Sequence, residues 1–385
     1  MAENDTSSTT SAQNSGLGLA VVDWFAVHAR ALPWRSTYDP YQVWVSEIML
    51  QQTQMERGTE YFLRWMQRFP DLSALATAHE DEVLKMWEGL GYYARARNLH
   101  RAARQVCAEY AGQIPQDMRQ LQLLPGIGPY TAAAIASIAY NQDVCVVDAN
   151  VERIMSRVCN VDTPIKAKAT QTRIREVCQD MLPLGQSRNF NQGLMDLGGL
   201  VCTPRSPLCP SCPLATWCLA RAAGVQEERP VVSPPATPVY ITMATGVLCH
   251  AGRFFVQKRK ADDIWAHLWE FPGGVVEENE DPADTVVREY MEETGLHVTE
   301  PEYIGAFQHS YTRYRVTMHA FFVRLDADPR TVELTAAQEY RWATWDQVLT
   351  LAFPAGHRKL IAALKQSGMP GHSSGPRHAS HRTQC

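Results

Sequence analysis

Leu124-Pro-Gly-Ile-Gly-Pro-Tyr-Thr131 lies between two stretches with helical apolar spacing, Met118–Leu123 and Tyr130–Tyr140. Gly126 and Gly128 allow a tight reversal and a close backbone approach to a ligand. Pro129 suits the first turn of a helix, where its missing N–H would have no partner anyway. The free amides at that helix start face outward as an anion site. A lone GxG turn is a weak signal, and its meaning depends on what surrounds it.

Working outward, apolar residues recur at three- and four-residue spacing in Val21–His28, Tyr41–Gln54, Tyr61–Arg68, Asp81–Leu90, Arg95–Tyr110 and Val151–Arg157. An all-α domain is therefore expected over 18–225, after a Ser/Thr/Asn-rich tail over 1–17 expected to be disordered. Residues 226–238 carry four prolines and read as a stiff linker. Beyond it Tyr240–Leu248, Phe254–Lys258 and Thr317–Leu325 read as strands around one helix, Ala283–Thr294, so 239–365 is expected to be α+β. The last stretch, 366–385, is Gly/Ser/His-rich and expected to be disordered; His372, His378 and His381 lie in it.

The 385 residues, 45% hydrophobic and 20% charged, suit two or three soluble domains and exclude global disorder, collagen and a disulfide-stapled miniprotein. The longest low-charge stretch, 131–141, is about half a membrane span. The polar N-terminus lacks a basic and an apolar region, so no secretion signal, no membrane association and a cytoplasmic, bacterial-type, nucleoid-associated location are expected. The ten cysteines then point to metal or thiol chemistry in a reducing compartment. A net charge of -5 does not announce a nucleic-acid binder. It leaves room for a local basic stripe, which Arg95, Arg97, Arg101 and Arg104 form around His100.

Cys202, Cys209, Cys212 and Cys218 are spaced C-x6-C-x2-C-x5-C, four thiolates able to close around zinc or an iron–sulfur cluster. The other cysteines, at 107, 145, 159, 178, 249 and 385, show no ligand spacing and read as packing residues. Asp148, before Val151, reads on its own as a helix N-cap. Glu47 stands among Val43, Trp44, Ile48 and Leu50, surroundings that strip its hydration and raise its pKa. On this segment alone, a Glu facing solvent from an amphipathic helix is the stronger reading.

These segments do not stand alone. The cysteine spacing resembles the [4Fe–4S] loop of endonuclease III-like DNA glycosylases, and the hairpin followed by Asp148 has the order of the helix-hairpin-helix, Gly/Pro-rich loop, Asp superfamily. With Leu32-Pro-Trp-Arg35, the 41–54 segment and Gly89-Leu-Gly-Tyr-Tyr-Ala-Arg-Ala-Arg-Asn98, the chain resembles the A/G-specific adenine DNA glycosylases, the MutY family. The resemblance implies a base-excision enzyme acting on adenine opposite 8-oxoguanine or guanine in duplex DNA. In it Glu47 protonates N7 of the flipped adenine, Asp148 stabilises the sugar cation, and Tyr130 stands where bifunctional relatives carry a Schiff-base lysine, so no strong lyase step is implied. It further implies an adenine pocket of Arg30, Trp34, Arg35 and Gln192, and DNA contacts from Leu50, Gln52, Tyr92, Gly126 and Gly128. The arginines of 89–98 would lie toward the DNA backbone.

Trp269-Glu-Phe-Pro-Gly-Gly274, then Glu280, Arg288-Glu289, Glu292-Glu293 and Gly295 resemble a Nudix box. Tyr290 replaces its usual aliphatic residue and is expected to disturb the helix packing. Glu289, Glu292 and Glu293 share a helical face suited to Mg²⁺. In the family this domain reads 8-oxoguanine, through a loop matched by His309-Ser-Tyr-Thr-Arg313 with Thr312 as the DNA contact, and residual Nudix hydrolysis is a further expectation. The expected whole is a monomeric, multidomain protein: an all-α helix-hairpin-helix domain with an iron–sulfur loop at 202–218, then an α+β Nudix-like domain. Two rivals are weaker. A bifunctional pyrimidine lyase requires Lys at position 130, and a DNA-tethered Nudix pyrophosphatase leaves Glu47, Tyr130 and Asp148 unexplained.

Overall fold

The computed structural model describes residues 6–234, 237–327 and 331–368, with backbone alone over 6–15. It divides into two compact units, one built from 1–77 and 98–234, the other from 78–97 and 235–385.

The first unit is helical. Its helices are α1 (Thr6–His28), α2 (Pro40–Leu50), α3 (Met55–Arg68) and α4 (Leu72–Thr77) before the break in the chain. Helix α5 (Glu80–Trp87) belongs to the other unit, and α6 (Ala94–Glu109) crosses the division. Then follow α7 (Met118–Leu121), α8 (Pro129–Ala134), α9 (Ala149–Val158), α10 (Lys168–Met181), α11 (Ser187–Leu200) and α12 (Leu219–Ala222). One core joins Val21 of α1, Ile154 and Met155 of α9, Ile174 of α10 and Phe190, Leu194 and Leu197 of α11. A smaller one packs Val43 of α2 on Ala133 and Ala134 of α8.

Four sequence expectations need correction here. The polar stretch 1–17 is not all tail: α1 starts at Thr6. Leu17, Val21 and Phe25 are buried, and once a packed segment has nucleated a helix each added residue gains a bond. Helix 41–54 stops at Leu50, because Gln52 adopts a left-handed backbone, φ 56°. The run 130–140 is α8 followed by a π-helical turn, Ile135–Ala139. Cys145 and Cys178 are not mere packing residues but a disulfide, 33 positions apart, so the thiol-only expectation fails for this pair. That separation carries no local signal; α10 brings the two together. Cys385 and the tail histidines lie outside the described residues. Helix α15 (Ala355–Gln366) reaches the start of the expected C-terminal tail. At the linker, Ile165 N–H donates to the carbonyl of Val231 at 2.9 Å and Arg229 donates to Asn160 at 3.0 Å, so its first residues pack on the helical unit.

The second unit holds a mixed sheet ordered β3-β2-β1-β6-β5, with β4 pairing β1 and β7 pairing β2. The strands are β1 (Val239–His250), β2 (Arg253–Arg259), β3 (Trp269–Glu270), β4 (Gly273–Val275), β5 (Val298–Tyr311), β6 (Tyr314–Leu325) and β7 (Ala337–Ala343). Strands β1 and β6 are parallel; the other pairs are antiparallel. Helix α13 (Pro282–Thr294) covers one face through Val286 and Tyr290. Helices α14 (Trp345–Thr350) and α15 cover the other through Val348, Leu360 and Leu364. Tyr290 does not disturb the packing. It is buried, and its hydroxyl donates to the carbonyl of Gly246 at 2.7 Å, so the added oxygen has a partner. The segment 78–97 belongs to this unit through Lys258–Asp81 and His267–Glu80 contacts of 2.7 Å each, and Lys85 donating to the carbonyl of Leu351. Among the described residues no helix is long and apolar enough to cross a membrane.

Candidate active site

The helical unit contains a cleft of ≈ 810 Å³ walled by Arg30, Trp34, Arg35, Glu47, Leu50, Gln52, Tyr130, Asp148 and Gln192, among others. Nine of the residues singled out from the sequence thus meet in one place. Each arrives by a local cause. Asp39 caps α2, accepting from Gln42 N–H at 3.0 Å, and Pro40 opens the helix that carries Glu47. Leu50 and Gln52 follow from the helix end. Gly126, with φ 77°, turns the hairpin where a β-carbon would meet Asn98 at 2.6 Å, and Pro129 opens α8 so that Tyr130 lies one residue into it.

Glu47 is buried, and its carboxyl is pushed up to about 7. Burial is the main cause; the Tyr130 hydrogen bond and the charge of Arg35 pull down, while the charge of Asp148 pushes up. Tyr130 donates its hydroxyl to Glu47 Oε2 at 3.1 Å, and its own pKa lies well above the ordinary phenol value because of burial and the two acids. Half-buried Asp148 is the N-cap of α9, accepting from Val151 N–H at 2.7 Å and from Asn150 Nδ2 at 2.9 Å. Burial raises its pKa, and those bonds and Arg153 oppose the rise. One acid that holds its proton near neutrality therefore faces the same cleft as one held by hydrogen bonds to its charged form. Such an arrangement can offer one bound group both a proton and a carboxylate.

Trp34 is buried edge-on against Phe62 at 5.0 Å. Arg30 and Arg35 both grip Asp196, a residue the sequence reading missed: Arg30 Nε donates at 2.8 Å and Arg35 Nη1 at 2.7 Å. Asn150 was missed as well. Neither has a motif of its own, and their roles emerge only from contacts with distant partners. Gln51 Nε2 donates to Thr131 Oγ1 at 3.4 Å, tying the end of α2 to the hairpin helix.

Tyr92 falls in the other unit. There its ring lies 5.8 Å from Tyr311, on the β5–β6 hairpin whose tip is Thr312, exposed and left-handed with φ 49°. Three arginines of the basic stripe donate to main-chain carbonyls, while Arg101 and Arg104 remain exposed. Arg95 binds those of Leu90 and Gly91, Arg97 that of Ala266 and Arg104 that of Ala76.

Cys202, Cys209, Cys212 and Cys218 are free thiols lining one cavity with Ile154, Val158 and Leu214. Burial pushes Cys212 up to about 11, with the other three sulfurs adding to the rise. Arg157 donates to Cys202 Sγ at 3.3 Å and to the carbonyl of Thr203 at 2.7 Å. Among the described residues no group of three His, Cys, Asp or Glu stands ready for a single metal ion. The four thiols on one cavity wall are a donor set of the kind that sulfur-ligated clusters take.

In the Nudix-like unit the acids are divided. Glu289 and Glu292 both pair with Arg288, at 3.0 and 3.1 Å. Glu293 turns inward, accepting from Gln257 Nε2 at 2.9 Å and Gly273 N–H at 3.1 Å. Burial and then the charge of Glu270 push it up to about 8.

Residues 45–180 match the HhH-GPD superfamily of base excision DNA repair proteins, and 244–363 match the NUDIX domain. The adenine DNA glycosylase of Homo sapiens is 31% identical over 422 residues, covering 95% of this chain and 77% of the relative. That of Mycolicibacterium smegmatis is 41% identical over 208 residues, 53% of this chain and 69% of the relative. Among solved structures, a thermostable thymine-DNA glycosylase aligns over 57% of this chain and 100% of its own, with 26% identity and a TM-score of 0.51. With both domains matched and the human relative covering 95% of this chain, the chain belongs to the adenine DNA glycosylases, the base-excision repair hydrolases that couple a helix-hairpin-helix domain to a Nudix-like one.

Proposed function

We propose that the helical unit removes adenine mispaired with 8-oxoguanine or guanine from duplex DNA, hydrolysing its N-glycosidic bond without a lyase step. The observation that carries this is Glu47, raised to about 7 and bonded to Tyr130, in one cleft with Asp148. The base must leave the stack to enter such a cleft. Glu47 gives its proton to N7, which makes adenine a neutral leaving group; the Asp148 carboxylate, held by two hydrogen bonds, stabilises the cationic sugar while water adds. Leu50 and Gln52 flank the vacated stack. Position 130 offers a phenol and no amine, so no Schiff base forms there. Cys202, Cys209, Cys212 and Cys218 would hold a [4Fe–4S] cluster, which braces the loop against α9 and takes no part in bond cleavage.

The Nudix-like unit serves as the reader of 8-oxoguanine, supported by the exposed Thr312 hairpin with Tyr311 and Tyr92 side by side. Mg²⁺-dependent hydrolysis is disfavoured, since Arg288 occupies Glu289 and Glu292. The full chain should be incubated with A:8-oxoguanine duplex and scored for abasic sites with and without alkali. Strand breaks that need alkali are the expected result, and breaks without it would overturn the monofunctional reading.

A further inference from the structure

We infer that Asp196 is a positioning residue for adenine excision, clamping Arg30 and Arg35 in the cleft wall and offsetting part of their charge there, so that the pair presents one net positive charge to Glu47 instead of two. This rests on Glu47 as the proton donor proposed above.

The geometry is specific. Asp196 is fully buried on α11, yet takes four side-chain hydrogen bonds from two arginines. Arg30 adds its own backbone N–H at 3.1 Å, and Arg35 Nη1 reaches the carbonyl of Arg30 at 3.2 Å. One turn of α11 further on, the Arg30 guanidinium lies against Gly199, its nitrogens 3.7 and 3.8 Å from where a β-carbon would be, an ordinary contact. With both terminal nitrogens of Arg35 held by Asp196, its Nε is a buried donor without a protein partner, on a residue that lines the cleft. Burial works against the Asp196 charge, but the bonds from Arg35 and Arg30 outweigh it and hold the carboxyl below its ordinary range. Asp196 is therefore an anion at working pH.

The groups that face Glu47 are Tyr130 from the hairpin helix, Asp148 from the cap of α9 and Arg35 from the short turn after α1. Arg30 lines the same cleft. Of the charged ones, only the arginines favour loss of the Glu47 proton. A buried cation next to a general acid would drain its proton, and a buried anion locked on that cation offsets the field. Asp196 thus lets two arginines serve as base-recognition donors at little cost to the acid beside them.

The test is single-turnover excision from A:8-oxoguanine duplex across pH 5.5–9, with duplex affinity measured alongside. In Asp196→Asn the alkaline limb should move down by about half a pH unit or more, the scale expected for deleting one charge an ion pair away. With each rate taken relative to its own plateau, that makes the variant about threefold slower than wild type at pH 8, with duplex affinity little changed. In Asp196→Asn with Arg35→Gln the limb should return toward its wild-type position, although the plateau is lower. A rate depressed equally at every pH, with the limb unmoved, overturns the inference. Should Asp196→Asn not fold, Arg35→Gln alone decides: the limb must move up, and an unmoved limb is equally fatal. Excision surviving in Glu47→Gln would instead bring down the underlying reading and is scored separately.

Discussion

Tyr130 and Glu47, 83 positions apart, are joined by a hydrogen bond of 3.1 Å in which the phenol donates to Oε2 of the acid. The bond favours the charged carboxylate and so limits how far burial can raise it; the outcome is a pKa of about 7. A general acid with that value is half-loaded near neutrality, where both proton supply and driving force are useful. The hairpin helix therefore tunes the acid.

Excision should accordingly fall about tenfold per pH unit above the Glu47 pKa, since the protonated form does the work, and fall again on the acid side where Asp148, itself raised by burial, takes up a proton. Glu47→Gln should abolish excision and leave duplex binding largely intact. Tyr130→Phe removes a bond that lowers the Glu47 pKa, so its alkaline limb should move upward. A downward or absent shift in the pH–rate profile would show that the bond does not set the titration.

The same burial has a stability consequence. Glu47 has a folded pKa near 7 against an ordinary value of 4.5, so the folded state binds more protons between those values. Stability must then fall as pH rises through that window. Glu47→Gln escapes this penalty, whose ceiling is roughly 3 kcal/mol by linkage. Thermal denaturation should show the variant a few degrees more stable than wild type at pH 8, with the gap closing at pH 4.5.

Asp148 carries two duties that substitution can separate. Asn caps a helix about as well as Asp, so Asp148→Asn should keep the melting temperature within a degree or two while excision is lost. Asp148→Ala should lose excision and about 1 kcal/mol of stability as well. Equal melting temperatures for the two variants would show that the cap contributes nothing measurable.

The cysteine cavity should hold about four irons per chain after anaerobic purification, with a brown protein as the visible sign. Stoichiometric zinc would overturn that assignment. Cys212→Ser should cost iron and DNA affinity more than the intrinsic rate on bound duplex, because the four thiols line a different cavity from Glu47.

For the Nudix-like unit, Thr312→Ala should narrow the preference for A:8-oxoguanine over A:G while sparing excision at A:G, measured as the ratio of the two rates. The full chain should not turn over 8-oxo-dGTP with Mg²⁺. Turnover that disappears in Glu292→Gln would mean that the Arg288 pairs open for metal.

The sequence alone carried the helical and sheet-containing parts, the hairpin, the cysteine loop and the two acids. Each of these is a short-range pattern: apolar spacing, Gly and Pro at a turn, thiols within one loop, a carboxylate among apolar neighbours. It also misjudged what depends on partners. Tyr290 read as a misfit because its hydrogen bond to Gly246 spans 44 positions, and Cys145 read as filler because its partner Cys178 lies 33 positions on, in α10. That Arg97 and Arg104 donate to the carbonyls of Ala266 and Ala76 is likewise invisible in a linear chain. Asp196 shows the limit most clearly: an acid in an apolar helix without a motif, it gains its role only where α11 meets two arginines more than 160 positions earlier. Local periodicity and turn chemistry determine which elements form. Which charges cancel, which thiols bond and which acid keeps its proton are decided by burial and by long-range neighbours, and those exist only once the chain has folded.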